Sequence, residues 1–317
     1  MKTALSLLTL CFCLVLGLMA GCNTPEPDIA KKPVWVATTG HIADALEKIS
    51  DGVDVEIKLL CGPGIDPHSY QASLGDVKAM KAADAIFFNG FHLEAKLHDL
   101  LTDEFGDKTW SMASAFPEEA RLDWVEDGQT NPELPFDPHI WNHLPAWCSC
   151  VEGLVAQLKE IDPGNAEAYQ SNGEAYLAEI KALHEYALKR FEAIPADRRV
   201  LVSAHDAFNY FAKVYGFETE AVLGVGNDAE ADVKRMREVA SIVCDSRVPV
   251  IFLETITNPK VTAALQEACA ARDWSVRIAD SPLYSDDLGS EPPHDTFLGA
   301  FRSNVTLIAE SLTNPSS

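Results

Sequence analysis

Basic residues are what this sequence is shortest of: 25 Lys and Arg stand against 48 Asp and Glu, a net charge of −23 over 317 residues. A chain this negative repels phosphate backbones and anionic headgroups, which argues against nucleic acid and anionic lipid as partners. The excess is not itself a sign of metal binding, because a solvated acidic face is common in soluble proteins. There is no low-complexity tract and no solenoid period, so repeat architectures are excluded. No HExxH motif is present, and Cys148-Ser149-Cys150 lacks both the two-residue spacer and the second cysteine pair of a zinc ribbon. What is present is ordinary globular material: 47% hydrophobic and 9% aromatic residues supply a core, and the length suits two domains better than one.

The first 21 residues read as a processing segment, with Lys2 as the positive start and an uncharged apolar stretch over 4–19. That stretch is short for a membrane span. Ala20-Gly21-Cys22 resembles a bacterial lipobox, which makes Cys22 the expected site of lipidation and the first mature residue; a plain signal peptide or a signal anchor is the alternative. Residues 22–32, polar and carrying Pro25 and Pro27, read as a tether between membrane and folded domain. Five cysteines then remain: Cys61, Cys148, Cys150, Cys244 and Cys269. In an oxidising compartment one or two disulfides are expected, with connectivity left open.

Past the tether, β-rich apolar runs alternate with helical patterns. Residues 34–37, 53–60 and 85–88 read as strands, with helices from Ile42, Gln71 and His92. The second half repeats the scheme with strands at 199–203, 248–254 and 275–279 and helices at 230–244 and 259–271. Such alternation implies parallel sheets, hence two α/β lobes. Between them, 165–194 has no proline and places Tyr169, Tyr176, Ile180, Leu183 and Ala187 at helical spacing. One helix of about thirty residues would span about 45 Å and join the lobes as a stiff strut; two shorter helices broken near Gly173 are the alternative. The expected plan is a signal peptide at 1–21, a tether at 22–32, a first lobe at 33–162, the linking helix at 163–196 and a second lobe at 197–317.

In α/β sheets ligands sit beyond the carboxyl ends of strands, so the loops there carry the chemistry. Gly62-Pro63-Gly64-Ile65-Asp66-Pro67-His68 follows one strand, Ser203-Ala204-His205-Asp206 closes another, and Tyr284-Ser285-Asp286-Asp287-Leu288-Gly289 follows a third. Asp137-Pro138-His139 repeats the Asp-Pro-His tripeptide ahead of the long helix. Proline fixes its own φ and restricts the residue before it, so the following histidine leaves a stiff backbone. The aspartate can accept from nearby backbone N–H groups or from the imidazole itself.

These segments resemble the metal-binding solute-binding lipoproteins of zinc and manganese ABC importers, the ZnuA-like and TroA-like family, over a stretch from about Val34 to the C-terminus. Asn89-Gly90 with Glu94, Tyr210-Phe211 with Tyr215-Gly216, and Glu254 stand where that family has comparable residues, and the TroA-like branch is nearer. The resemblance implies that His68 and His139 from the first lobe meet His205 and Asp286 from the second around one ion in the interlobe cleft. Three imidazoles and one carboxylate suit Zn²⁺ and tolerate Mn²⁺ or Fe²⁺. Four protein ligands leave little room for a reactive water, so transport fits better than hydrolysis. Asp280 and Asp287 stay open as alternatives to Asp286.

The resemblance further implies an ABC permease with its ATPase as partners, an extracytoplasmic lipoprotein at the periplasm or cell surface, and a monomer. His143, four residues from His139, is a possible competitor for metal, although a surface or capping role suits it better. The stretch 121–135 contains no histidine, unlike the histidine-rich loop of many ZnuA-like proteins. His41, His92, His98, His184 and His294 read as packing or surface residues, and Trp124, Trp141, Phe208, Tyr210 and Phe211 as packing. The competing functions are a secreted metal-dependent hydrolase, with Asp287 or Glu254 as base, and a metal-binding adhesin or scavenger without a permease.

Overall fold

The structure is a computed structural model that describes residues 32–126, 129–130, 136–224 and 232–313. The expected signal peptide, Cys22 and nearly all of the tether lie outside the described residues. The described residues from Pro33 onward form a single compact unit.

The first sheet has four parallel strands: β1 (Val34–Thr39), β2 (Glu56–Cys61), β3 (Ala85–Phe88) and β4 (Thr109–Ser111), in the order β2-β1-β3-β4. β1 is central and buried along its whole length. Its Trp35 and Ala37 join one core cluster while Val36 joins another, the alternation expected of a strand covered on both faces. A short antiparallel ribbon, β5 (Val125–Glu126) with β6 (Gln129–Thr130), follows. In the second half β7 (Val200–Ser203) pairs in parallel with β8 (Glu218–Ala221), and β9 (Val250–Ile251) with β10 (Arg277–Ile278). The N–H of Phe252 donates to the Val202 carbonyl at 2.8 Å, which joins the two pairs side by side.

Two expected elements start late for local reasons. The helix expected from Gln71 begins at Leu74 as α2 (Leu74–Ala82), after α1 (Gly40–Ile49), because Ser73 and Asp76 form a reciprocal capping box there. The strand expected from Val53 begins at Glu56, after a turn in which Gly52 takes a φ of 78°. The helix expected from His92 is not formed. Phe91 and His92 have φ of 48° and 64°, and short turns follow instead: a 3-10 turn (Ala95–Leu97), a π turn (Leu100–Glu104) and a second 3-10 turn (Gly106–Lys108). The cause is Glu94, whose carboxylate takes the N–H groups of Asn89 and Gly90 and folds the chain back on itself. The start of the helix expected at 230–244 lies outside the described residues; from Val233 it runs as α6 (Val233–Asp245).

Helix α3 (Leu144–Ile161) has no counterpart in the sequence reading, nor has the C-terminal α8 (Phe297–Thr313). Between the lobes runs α4 (Ala166–Phe191), unbroken over 26 residues, which at 1.5 Å per residue is about 39 Å. Gly173 does not interrupt it; a Cβ there would stand 2.4 Å from Cγ2 of Val155, so the glycine is what lets α3 lie close against α4. α4 is tied to the first lobe through Asn172, whose Nδ2 donates to the carbonyls of Ile49 and Asp51. It is tied to α8 through Tyr186 with Thr306 and Arg190 with Glu310. The largest buried cluster runs from Trp35 through α4 to Leu312, so both lobes share one core. The remaining helices are α5 (Asn209–Tyr215) and α7 (Pro259–Ala270). The disulfides expected of an oxidising compartment are not formed: all five cysteines are free thiols, Cys148 and Cys150 both buried on α3.

Candidate metal centre

Four loops carry the singled-out residues. His68 follows β2, His139 precedes α3, His205 follows β7 and Asp286 follows β10. Their ligand atoms lie within 4.8 Å of one another, and all four residues are buried. Nε2 of His68 is 3.3 Å from Nε2 of His139 and 3.3 Å from Oδ2 of Asp286. Nε2 of His139 is 3.6 Å from Oδ1, and Nε2 of His205 3.2 Å from Oδ2, of the same carboxylate. A tetrahedron with metal–ligand bonds of about 2.0 Å has edges of about 3.3 Å, so these four separations are on the scale of donors that share one ion.

The two Asp-Pro-His tripeptides share one turn and differ in what the aspartate then does. In both, Oδ1 of the aspartate accepts the N–H of the histidine two residues on, at 2.9 Å. Asp137 also accepts from Nδ1 of His139 at 2.7 Å, leaving Nε2 as the lone-pair nitrogen. Asp66 instead accepts from Ser69 Oγ, and no carboxylate meets Nδ1 of His68 among the described residues. Nδ1 of His205 is held by Glu254, whose other oxygen takes the N–H groups of Ala204 and His205 at 2.7 and 2.9 Å. The loops are pinned in turn. Asn89 Nδ2 donates to the Pro138 carbonyl, Tyr210 Oη to that of Asp137, and Trp141 Nε1 to that of Ser285. The last contact ties the His139 segment to the loop of Asp286.

Burial alone would drive the Asp286 carboxyl up, yet the imidazoles of His205 and His139 hold it well below the usual carboxylate range. Burial would likewise lower both imidazoles. Glu254 and Asp286 carry His205 well above its usual value, and Asp137 with Asp286 raises His139. These close approaches are nonetheless poorly aligned as hydrogen bonds: both oxygens of Asp286 and Nε2 of His205 are buried without a hydrogen-bond partner. Buried polar atoms are rarely orphaned. Several gathered together, with two Nε2 atoms 3.3 Å apart, make a group that could hold a cation.

The other candidates face elsewhere. Asp280 is exposed. Asp287 turns away from the cluster, accepting from the N–H of Gly64 at 2.7 Å and from Thr255 Oγ1. His143 uses Nδ1 to accept the N–H of Ala146, which caps α3. His41, expected to be packing, is fully buried, stacked on Trp141 with centroids 4.5 Å apart; burial lowers its pKa to about 3, so it is neutral. Its contact with Trp141, and the Trp141 bond to Ser285, escape sequence reading because neither partner is a neighbour in the chain. Part of the histidine-free 121–135 stretch lies outside the described residues.

The family model described as zinc-uptake complex component A, periplasmic (ZnuA), matches residues 36–311. Over 310 residues the chain is 34% identical to the zinc-binding protein TroA of Treponema pallidum, covering 96% of this chain and 98% of that one. It is 34% identical over 299 residues to the manganese-binding lipoprotein MntA of Bacillus subtilis, covering 93% and 95%. With the metal ABC transporter substrate-binding lipoprotein SloC of Streptococcus mutans it shares 27% identity over 313 residues, 98% and 99% of the two chains. The solved structure of the periplasmic zinc-binding TroA superposes with a TM-score of 0.83 at 35% identity, over 89% of this chain and 99% of that one.

Proposed function

Because the chain belongs to the ZnuA family of periplasmic zinc-uptake components, we propose that its buried cluster of three histidines and one aspartate captures a divalent transition metal outside the cytoplasm and delivers it to an importer. The protein is the extracytoplasmic substrate-binding component of an ABC metal importer. It works with a membrane permease and an ATPase and is not an enzyme. The ligands in this reading are His68, His139, His205 and Asp286. One observation supports the set above all others: four donor atoms from four loops, two in each half of the chain, lie within 4.8 Å of one another. The donor set suits Zn²⁺, tolerates Mn²⁺ and Fe²⁺, and leaves compartment supply to select among them.

Four protein ligands close the site, and the carboxylates beside it already hold imidazoles or backbone, so hydrolysis is not favoured. Residues 1–21 serve as signal peptide and Cys22 as the lipid anchor, with 22–32 as tether. The folded part is a monomer divided into 33–162, the linking helix 163–196, and 197–317. No helix among the described residues is long and apolar enough to cross a membrane.

The test is competition titration of purified protein with Zn²⁺, Mn²⁺ and Fe²⁺, alongside His205→Ala. Stoichiometric binding of one ion is expected, with affinity falling at least about tenfold in the variant, the scale of losing even a supporting residue. Unchanged affinity in His205→Ala removes that residue from the set, and no binding by the native chain removes the whole reading.

A further inference from the structure

The four candidate ligands are not held alike. His139, His205 and Asp286 are 0, 0 and 2% exposed, whereas His68 is 7% exposed and, among the described residues, is the one imidazole of the three whose Nδ1 meets no carboxylate. Its loop is open to solvent on one side. Gly64 takes a φ of 75° with open space around it, and Ile65 beside it is 41% exposed. Among the described residues one backbone hydrogen bond joins this loop to the other half of the molecule: Gly64 N–H to Oδ2 of Asp287, at 2.7 Å across 223 positions of sequence. The other oxygen of Asp287 is braced by Thr255 Oγ1. Thr255 directly follows Glu254, which orients His205, and Asp287 directly follows Asp286. A single buried carboxylate therefore ties together the loops that carry His68, Asp286 and the Glu254 support of His205.

We propose that Asp287 is a latch and not a ligand: its carboxylate holds the 62–68 loop shut over the ion and sets the rate at which metal leaves through movement of His68. This rests on the metal-capture reading above. A residue that acts this way changes dissociation much more than association, because the open loop still presents His68 to an arriving ion while the closed state is less populated. It is a positioning residue, and the conservative amide should rescue it, since the oxygen of an asparagine can still accept from Gly64 N–H.

The experiment loads the protein with Zn²⁺ and follows release into excess chelator by stopped flow, with association measured separately. Asp287→Ala should accelerate release about tenfold, the factor carried by one hydrogen bond to a charged group, with association unchanged. Asp287→Asn should stay within about threefold of the native rate, and Thr255→Val, which removes only the brace, should fall between the two. Release from Asp287→Ala at the native rate overturns the proposal. So does loss of binding in both Asp287→Ala and Asp287→Asn as complete as in Asp286→Ala, because that result makes Asp287 a ligand. Should Asp287→Ala fail to fold, Thr255→Val decides: faster release supports the latch and the native rate refutes it. Failure of the native chain to bind Zn²⁺, Mn²⁺ or Fe²⁺ is a different result and overturns the capture reading itself.

Discussion

Asp44 shows that a carboxylate can be part of the packing as well as of the site. Its side chain is 5% exposed and accepts from Tyr176 Oη at 2.9 Å, tying α1 to the strut α4. Burial pushes its pKa up to about 6, against the downward pull of the Tyr176 hydrogen bond. The folded state then holds a proton between about pH 4 and pH 6 that the unfolded chain has released. Stability accordingly falls as pH rises through that window, and the penalty is complete above it. Asp44→Asn keeps an acceptor for Tyr176 Oη and removes the buried charge. Thermal melts should show the variant more stable at pH 7 by on the order of 2 kcal/mol, a shift of several degrees, and no different at pH 4. Equal melting temperatures at pH 7 would show that the carboxylate is not penalised by burial.

The contact of α3 with α4 decides how closely the strut sits against the first lobe, and it depends on Gly173. Alanine there would gain up to about 1 kcal/mol of helix propensity. Its Cβ, however, would stand 2.4 Å from Cγ2 of Val155, and overpacking of that kind costs about 1–3 kcal/mol. The steric term should win, so denaturant titration of Gly173→Ala is expected to show net destabilisation. Adding Val155→Ala should remove the clash but leave a lost valine, which makes the effects of the two substitutions non-additive. Simple additivity would mean that the helices are not in the contact described.

At the scale of the molecule the strut and shared core argue against a wide hinge. α4 hydrogen-bonds to α1 on one side and α8 on the other, and one continuous buried cluster runs from Trp35 to Leu312. Bending such an assembly would expose apolar surface at about 25 cal/mol per Å². Metal loading is therefore expected to move loops at the cleft and to rotate the lobes by only a few degrees, checked by solution scattering and crystallography of metal-free and loaded protein. A rotation of tens of degrees would sink this expectation. The net charge of −23 belongs to the same scale, favouring cations over anions near the surface without selecting any one of them.

Most of the parallel α/β plan is legible in the sequence because strand and helix periodicity are local properties, and the uninterrupted Tyr169 to Ala187 pattern carried enough signal to reveal the strut. Residue types at the centre are legible too, since proline stiffens both Asp-Pro-His turns whatever surrounds them. The missing helix after His92 was not readable, because Glu94 captures the backbone of Asn89 and Gly90 in a way that periodicity does not register. Nor could the chain alone distinguish Asp286 from Asp287. Adjacent residues point different ways, and only tertiary packing sends one carboxylate to three imidazoles and its neighbour to Gly64 and Thr255. Sequence thus determined which side chains were available and how stiffly each was mounted. The fold decided where they meet, because convergence depends on loops brought together by long-range burial, and no local preference encodes it.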